Sequence, residues 1–428
     1  MREMKDSGIE WIGKTPIEWS LVQTKRFFTN TKKIVGNEAD NYDRLALTMN
    51  GVIKRSKDDS EGLQPEKFEG YQILCKNELV FKLIDLENVK TSRVGLSPYT
   101  GLVSPAYIVL SNDFTDNRFF YYWFMFMYYN EVFNHLGGEG VRSALNAKDV
   151  LSLPVPDIRL NEQNRIADYL DRKCSQIDAI IARQQEVIEK LKAYKLSVIT
   201  EAVTKGLNPD VPMKNSGIDF IGSIPETWRI CRLRNIGTLQ NGISKGGEFF
   251  GHGFPFVSYG DVYRNFSLPV QVTGLIDSSD EERRNYSVEA GDIFFTRTSE
   301  TIEEVGFSSV CEETIPDATF AGFLIRVRPF TDDLVPKFAK YYFRSNHHRY
   351  YLVKQMNLVT RASLGQDLLK SMPVLVPPKD EQISIAAYLD KKCGAIESSI
   401  EYKQRVIERL TAYKKSLIYE VVTGKKAV

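Results

Sequence analysis

Cysteine is scarce and poorly spaced for chemistry. The 428 residues contain five, Cys75, Cys174, Cys231, Cys311 and Cys393, an odd number with no C-x-x-C pair. That argues against a disulfide framework and against a cysteine zinc site, and it fits a reducing cytoplasm. Long apolar runs are missing as well. No window approaches about 18 uninterrupted apolar residues, so no membrane span is expected. The charged opening Met1-Arg2-Glu3-Met4-Lys5-Asp6 has no apolar run behind it, so a signal peptide is not expected either. Net charge is nearly nil, +1 from 56 basic and 55 acidic residues. No bulk basic excess points to nucleic acid, although a balanced total still permits local patches. The rest, 43% apolar and 26% charged, is an ordinary globular composition at a length that predicts two to three domains.

What the chain does contain is itself, twice. Met4-Lys5-Asp6-Ser7-Gly8-Ile9-Glu10-Trp11-Ile12-Gly13, running on to Pro16-Ile17-Glu18-Trp19, returns as Met213-Lys214-Asn215-Ser216-Gly217-Ile218-Asp219-Phe220-Ile221-Gly222, running on to Pro225-Glu226-Thr227-Trp228; the offset is 213 − 4 = 209. Glu162-Gln163-Asn164-Arg165-Ile166-Ala167-Asp168-Tyr169-Leu170-Asp171 returns as Glu381-Gln382-Ile383-Ser384-Ile385-Ala386-Ala387-Tyr388-Leu389-Asp390, at 381 − 162 = 219. Ten residues are therefore inserted between the two tracts, where the halves diverge. Two alike frames carrying unlike inserts do one thing on two different targets.

After each second tract comes a long helical pattern, 162–205 and 381–424. Leu170, Cys174, Ile177, Ile181, Ile188, Leu191 and Val198 step by three, four or seven, as do Leu389, Cys393, Ile396, Ile400, Ile407, Leu410, Leu417 and Val421. That is a coiled-coil seam with charged flanks. About 43 residues at a rise of ~1.5 Å give a rod on the order of 65 Å. Prolines at 154, 156, 373, 377 and 378 precede the rods, with Asn161 and Asp380 as candidate N-caps. Pairing the two seams hides both, each buried Leu or Ile contributing roughly 1.5–3 kcal/mol; the alternative is that each helix packs on its own domain. The inserts, about 20–150 and 229–370, read as short strands plus a helix. Strands are expected at Tyr71–Leu74, Leu79–Phe81, Tyr107–Leu110, Ile293–Phe295 and Phe323–Val327. One aromatic helix each is expected at Phe119–Phe133 and Phe338–Tyr351, its rings serving as core in preference to a base-stacking platform.

The opening K-[DN]-S-G-I-[ED]-[WF]-I-G…P-x-x-W, the run Pro377-Pro378-Lys379-Asp380-Glu381-Gln382 to Asp390 and the duplication together resemble the DNA-specificity subunit of type I restriction–modification systems, across essentially the whole chain. The resemblance implies an α+β chain in which two mixed α/β target-recognition domains are joined by two long helices forming an antiparallel coiled coil, with a pseudo-twofold repeat. The expected spans are 1–152 and 209–371 for the recognition domains and 153–208 and 372–428 for the spacer helices. It further implies a non-catalytic subunit that reads a split, asymmetric site in double-stranded DNA and positions two methyltransferase and two motor–nuclease subunits. S-adenosylmethionine, ATP and Mg²⁺ would belong to those partners. Half-sites read from one side of the duplex lie about one helical turn, ~34 Å, apart, and a stiff linker raises affinity through effective concentration. A coiled-coil assembly protein without nucleic-acid binding is the rival reading.

For base readout, Arg or Lys toward guanine and Asn or Gln toward adenine are the expected tools. Candidates in the first insert are Lys54, Arg55, Lys82 and Arg93; in the second, Ser244, Lys245, Tyr259, Arg264, Arg297, Thr298 and Ser299. Lys82 and Arg297 follow alike strands, so comparable places are expected for them. Arg142 and Arg361 head a loop already in the 219 offset and are expected to touch phosphate, which sets register and not sequence. Three other motifs fail on inspection. Gly8 to Thr15 matches G-x-x-x-x-G-K-[ST], yet it holds Trp11 and Ile12, is followed by Pro16, and its copy lacks the lysine. Pro156-Asp157…Asp171-Arg172-Lys173 resembles a nuclease pattern, but Asp171 and Lys173 fall on a helix. His347-His348 has no third ligand and reads as a surface pair. No N-P-P-[YF] element and no glycine-rich S-adenosylmethionine loop occur. Inserting or deleting four residues within 172–200 is expected to change the unread gap and not the bases read; sequencing methylated sites checks this, and altered half-site bases would refute a ruler.

Overall fold

A computed structural model describes residues 2–49, 51–59, 67–84, 86, 93–136, 144–299, 305–355 and 362–428. The chain divides into two compact units, Met1–Gln184 with Gln404–Val428, and Gln185–Lys403. This division differs from the expected spans because each unit takes the beginning of one long helix and the end of the other.

From the N-terminus the elements are β1 Met4–Asp6, β2 Lys14–Pro16, β3 Ser20–Gln23, β4 Arg44–Thr48, β5 Gly51–Arg55, β6 Gln72–Leu74, β7 Leu79–Lys82, β8 Arg93–Leu96, β9 Gly101–Val103, β10 Ile108–Leu110, α1 Asn117–Tyr129, α2 Ala147–Leu151, β11 Pro154–Asp157 and α3 Leu160–Lys205. The first unit holds the sheets β10-β7-β8 and β5-β4-β9-β6 and the pairs β1-β2 and β3-β11. Asp116 caps α1 by accepting from the Arg118 amide, as a short acidic side chain does at a helix start. Phe119, Phe120, Tyr122, Trp123, Phe124, Phe126 and Met127 are all buried, so the aromatics are core, as expected.

The second half continues with β12 Met213–Asn215, β13 Ser223–Pro225, β14 Arg229–Arg232, β15 Gly237–Asn241, β16 Phe250–Val257, α4 Tyr259–Arg264, β17 Gly274–Ile276, α5 Asp280–Asn285, β18 Ile293–Thr296, β19 Thr298–Ser299, β20 Ser308–Val310, β21 Thr319–Phe320, β22 Leu324–Pro329, α6 Pro336–Tyr342, α7 Asn346–Gln355, β23 Ala362–Ser363, α8 Gln366–Ser371, β24 Pro373–Val376 and α9 Lys379–Val422. Its main sheet has the order β15-β22-β18-β20, beside β17-β16-β21. Registers repeat along with sequence. Pro154 faces Gln23 and Pro373 faces Arg232, at 373 − 154 = 219 and 232 − 23 = 209. Leu79 faces Leu96 and Ile293 faces Val310, at 293 − 79 = 214 and 310 − 96 = 214. Leu110 lies opposite Leu79 and Val327 opposite Ile293, at 327 − 110 = 217. The ten extra residues thus enter in three net steps: 214 − 209 = 5 before β7, 217 − 214 = 3 between β8 and β10, and 219 − 217 = 2 between β10 and α1.

One expected helix is two. The aromatic segment of the second unit breaks between α6 and α7, where Arg344 turns inward and donates to the carbonyls of Val262, Tyr263, Asn265 and Ser308. Burial lowers that guanidinium to about 10. The matching residue in α1 is Met125, at 344 − 125 = 219, whose apolar side chain lets the helix run on.

α3 and α9 pack together and run antiparallel. Within the first unit Lys414 sits 2.7 Å from Asp178, and within the second Lys195 pairs with Glu397. Of the expected seam, Leu170, Cys174, Ile177, Ile188, Val198, Leu389, Cys393, Ile396, Leu417 and Val421 are buried, while Ile181, Leu191, Ile400, Ile407 and Leu410 are half-buried. The alternative packing also occurs: the start of each helix packs on its own domain, through Ile166, Leu170 and Cys174 or Ile385, Leu389 and Cys393, and the end of each packs on the other repeat's. Leu417, Ile418, Val421 and Val422 join the aromatic core of the first unit, and Val198, Ile199, Ala202 and Val203 join the core of the second. Asn161 and Asp380 lie inside the first turns and do not cap them, because the helices already begin at Leu160 and Lys379.

The repeated Glu-Gln pair has a structural purpose. Gln163 donates to the Ile158 carbonyl and accepts from the Asp116 amide. Gln382 donates to the carbonyls of Pro377 and Asp333 and accepts from the Val335 amide. Each buried amide ties the start of a long helix to the start of the aromatic helix. The hydroxyls of Tyr122 and Tyr341 reinforce this by donating to Asp171 and Asp390 at 2.7 and 2.8 Å. Gln382→Ala leaves the buried Pro377 carbonyl bond and the part-buried bonds to the Val335 amide and Asp333 carbonyl unmade, and is expected to destabilise the protein by about 1–3 kcal/mol in urea unfolding at neutral pH.

Candidate nucleic-acid interface

At one end of the main sheet of the second unit, four backbone segments converge. The Gly322 amide donates to the Ile243 carbonyl, the Arg297 amide to the Phe323 carbonyl, and the Leu364 amide to the Arg297 carbonyl, at 2.8, 2.8 and 2.7 Å. Thr298 pairs with Ser363 and Ser299 with Ala362 across β19–β23, and the Gln366 side chain donates to Asn241 at 2.9 Å. The turn chemistry of the residues between strands therefore brings the segments of Ser244, Arg297, Thr298 and Ser299, named separately as candidates, to one place. It adds Asn241, Phe323, Ser363 and Gln366, which the sequence did not single out. The expected strand includes Phe323, yet the residue precedes β22 and is 64% exposed. Arg297 and Thr298 are half-buried and Ser244 exposed. An amide-rich, hydroxyl-rich rim around one arginine and one open aromatic ring offers donors, acceptors and a stacking face to a base edge.

The remaining candidates of that unit serve differently. Lys245 donates to the Asp277 carbonyl and to Glu282, both at 2.7 Å, so its ammonium braces the fold. The bond from Lys245 holds the Glu282 carboxyl below its usual range. Tyr259 opens α4 after a Ser258 capping box and stacks on Tyr263 with centroids 6.1 Å apart. Arg264 ends the same helix and is exposed.

In the first unit Lys54 and Arg55 are neighbours on β5. The Lys54 ammonium lies 2.6 Å from Asp43 and over the Tyr99 ring, and its hydrogen bond to Asp43 raises its pKa. Arg55 lies 2.9 Å from Asp59. The Lys54–Asp43 pair is exposed, and such pairs are weak in water; the Arg55–Asp59 pair is half-buried. Lys82 and Arg93 face each other across β7–β8, two like charges side by side, an arrangement that favours a shared anionic neighbour.

Lys82 and Arg297 do not hold comparable places. Leu145 donates to the Leu83 carbonyl just as Leu364 does to that of Arg297, so Arg297 corresponds to Leu83 and Lys82 to Thr296, at 296 − 82 = 214 and 297 − 83 = 214. One residue along a strand is the opposite face. The phosphate-contact candidates Arg142 and Arg361 lie outside the described residues.

The rejected motifs stay rejected on geometry. Gly8–Thr15 is a hairpin connection that satisfies itself, Ser7 donating to Gly13 and Gly13 to Ile9, and it runs into β2, whereas a phosphate loop opens a helix. Asp171 lies on α3, holding Tyr122 and Arg118. Only one histidine of the pair reaches the surface: His347 is half-buried, whereas His348 is 3% exposed, packs against the Tyr342 ring at 4.3 Å and shares a hydrogen bond with Ser345. Among the described residues no three His, Cys, Asp or Glu gather as a metal site, and no helix is long and apolar enough to cross a membrane.

The sequence pattern of the type I restriction modification DNA specificity domain matches residues 225–409. The type I restriction enzyme EcoKI specificity subunit of Escherichia coli strain K12 is 24% identical over 317 residues, 70% of this chain and 63% of that subunit. The StySPI specificity subunit of Salmonella potsdam is 22% identical over 329 residues, 76% and 66%. The chain thus spans a little under two thirds of the length of these curated relatives. A chain from a structural study of complex assembly and conformational transition of the type I R-M system shares the fold with a TM-score of 0.69 at 15% identity, covering 95% of this chain and 98% of that one. The second half of this chain is thus similar to the type I restriction modification DNA specificity domain, and the first half repeats the framework of the second.

Burial lowers the His348 imidazole from 6.5 to about 3. Its stabilising contribution is complete above the unfolded value of 6.5 and is lost as pH falls, since the unfolded chain binds the proton first. The loss reaches up to about 1.4 kcal/mol per pH unit over that window. Thermal unfolding of His348→Gln between about pH 7 and 4.5 should fall less steeply than that of the parent chain; equal slopes would refute the assignment.

Proposed function

We propose that this chain is the DNA-reading subunit of a type I restriction–modification complex, each unit reading one half of a split, asymmetric site. One observation carries the reading: the framework repeats to the residue in register and clamp, while the strands beside it differ. β4 and β5 form a plain hairpin in the first unit, whereas β16 and β17 of the second are separated by α4. Repeated geometry with exchanged readers is what two different half-sites require. The antiparallel helices act as the spacer, and Arg297 with its rim contacts base edges in one half-site.

The chain carries no chemistry of its own in this reading. Two methyltransferase subunits, for adenine methylation, and two motor–nuclease subunits bring S-adenosylmethionine, ATP and Mg²⁺, and the complex works in the cytoplasm. The full chain expressed with its partner methyltransferase is expected to direct methylation to a two-part motif of fixed gap, with duplex affinity that falls steeply as salt is added; scattered methylation together with no duplex binding would return the assembly-protein reading. Arg297→Ala should lose about 1–3 kcal/mol of discrimination at one half-site position; an equal loss on every sequence would make it a phosphate contact.

A further inference from the structure

The second unit carries a device with no counterpart among the described residues of the first. Phe250 and Phe254 of β16 both pair with Ile276 of β17, so the ladder skips the three residues between them. Those residues are Gly251, His252 and Gly253, all exposed. Gly251 has φ +92 and Gly253 φ +91, and a Cβ on Gly253 would come within 2.6 Å of the Ile276 carbonyl. Only glycine suits either flank, which leaves the His252 imidazole as the sole side chain on the bulge. Among the described residues it has no hydrogen bond, ion pair or ring contact.

The bulge is held firmly from both sides. The Lys245 ammonium, fixed by Glu282 and the Asp277 carbonyl, lies 5.0 Å from the Phe249 ring, and the Arg283 guanidinium lies 3.6 Å from the Phe254 ring. The Asp277 amide also donates to the Phe249 carbonyl at 2.8 Å. Cations seated on ring faces stiffen a surface ribbon. A bulge re-aims a side chain and ends pairing locally; here it lifts one imidazole clear of a braced two-stranded ribbon. In the first unit β4 takes the matching place. It pairs in parallel with β9, the strand before β10, as β16 pairs in parallel with β21, the strand before β22. There the chain ahead of β4, Gly36–Asn41, is a 3₁₀ turn packed inward through Ala39.

We propose that His252 reads a base pair in the half-site taken by the second unit, with the β16–β17 ribbon entering the major groove. The inference rests on the DNA-reading function above. A major groove admits a two-stranded ribbon, an imidazole both donates and accepts, and a preorganised reader loses little freedom on binding.

The test is selection of bound duplexes from a random-sequence library by the full chain in complex with its methyltransferase partner, comparing the parent with His252→Ala and His252→Asn. The parent should enrich a two-part motif. His252→Ala should enrich the same motif with one position of one half relaxed by about tenfold or more, and His252→Asn should change the base preferred at that position. A parent motif left intact by both variants overturns the proposal alone. Uniformly weaker binding to every sequence also overturns it, marking a backbone contact. A parent that enriches no motif overturns the DNA-reading function, and the proposal with it. Circular dichroism of each variant should match the parent, since the bulge buries nothing; a variant that fails to fold would overturn the picture of an imidazole standing free.

Discussion

The last two turns of each long helix complete a core that belongs to the other repeat. Val421 and Val422 join the core built around the rings of α1, and Ala202 and Val203 join the one built around those of α6. Neither unit has a full core from one half of the sequence. The antiparallel seam is therefore a requirement of folding before it is a spacer: the apolar ends that would otherwise face water are hidden only when both halves are present. The buried Gln163 and Gln382 amides then orient each aromatic helix against the start of its own rod.

This arrangement separates two kinds of residue. Those that repeat at fixed offsets, such as the Trp19 and Trp228 rings, the Tyr122–Asp171 and Tyr341–Asp390 pairs and the two glutamines, hold the framework together. Those that differ, from Lys54 on a plain hairpin to the Gly251–Gly253 bulge, lie on strands and connections facing outward. Net insertions enter between strands and never within a matched ladder, because a single-residue slip would turn a whole face of side chains around.

The rods and their seam were legible because a heptad period survives without tertiary context, and the five expected strands because each is a short apolar run bounded by turn residues. The duplication itself was the strongest signal, being a matter of letters alone. What was not legible depended on contacts distant in sequence. The break at Arg344 needs carbonyls from the α4 region to receive a guanidinium, and no local rule supplies them. The buried His348 looked like a surface pair because a polar dipeptide gives no hint of the Tyr342 ring above it. The mismatch of Lys82 and Arg297 by one position arose because alike strands end alike, while only the Leu83 and Arg297 carbonyl bonds reveal which residues are equivalent. Among the reading candidates, the convergence of Ser244, Arg297 and Thr298 is a product of topology, and the sequence named its members without their company. Gly251-His252-Gly253 carried a usable hint, an isolated imidazole between two residues that favour positive φ.

β3 lies beside β11 in antiparallel pairing, and β14 beside β24 in the same register. The path into each recognition segment and the path out of it therefore pass through one doorway, a single ladder only two strands wide. Between that doorway and the aromatic helix the strands differ in length and connection, as β4–β5 and β16–β17 do, while the ladder and the clamps to the rods repeat. In the proposed DNA-reading function, a change of address then amounts to replacing the strands between two closely spaced backbone points, with the rods and their clamps left as they are.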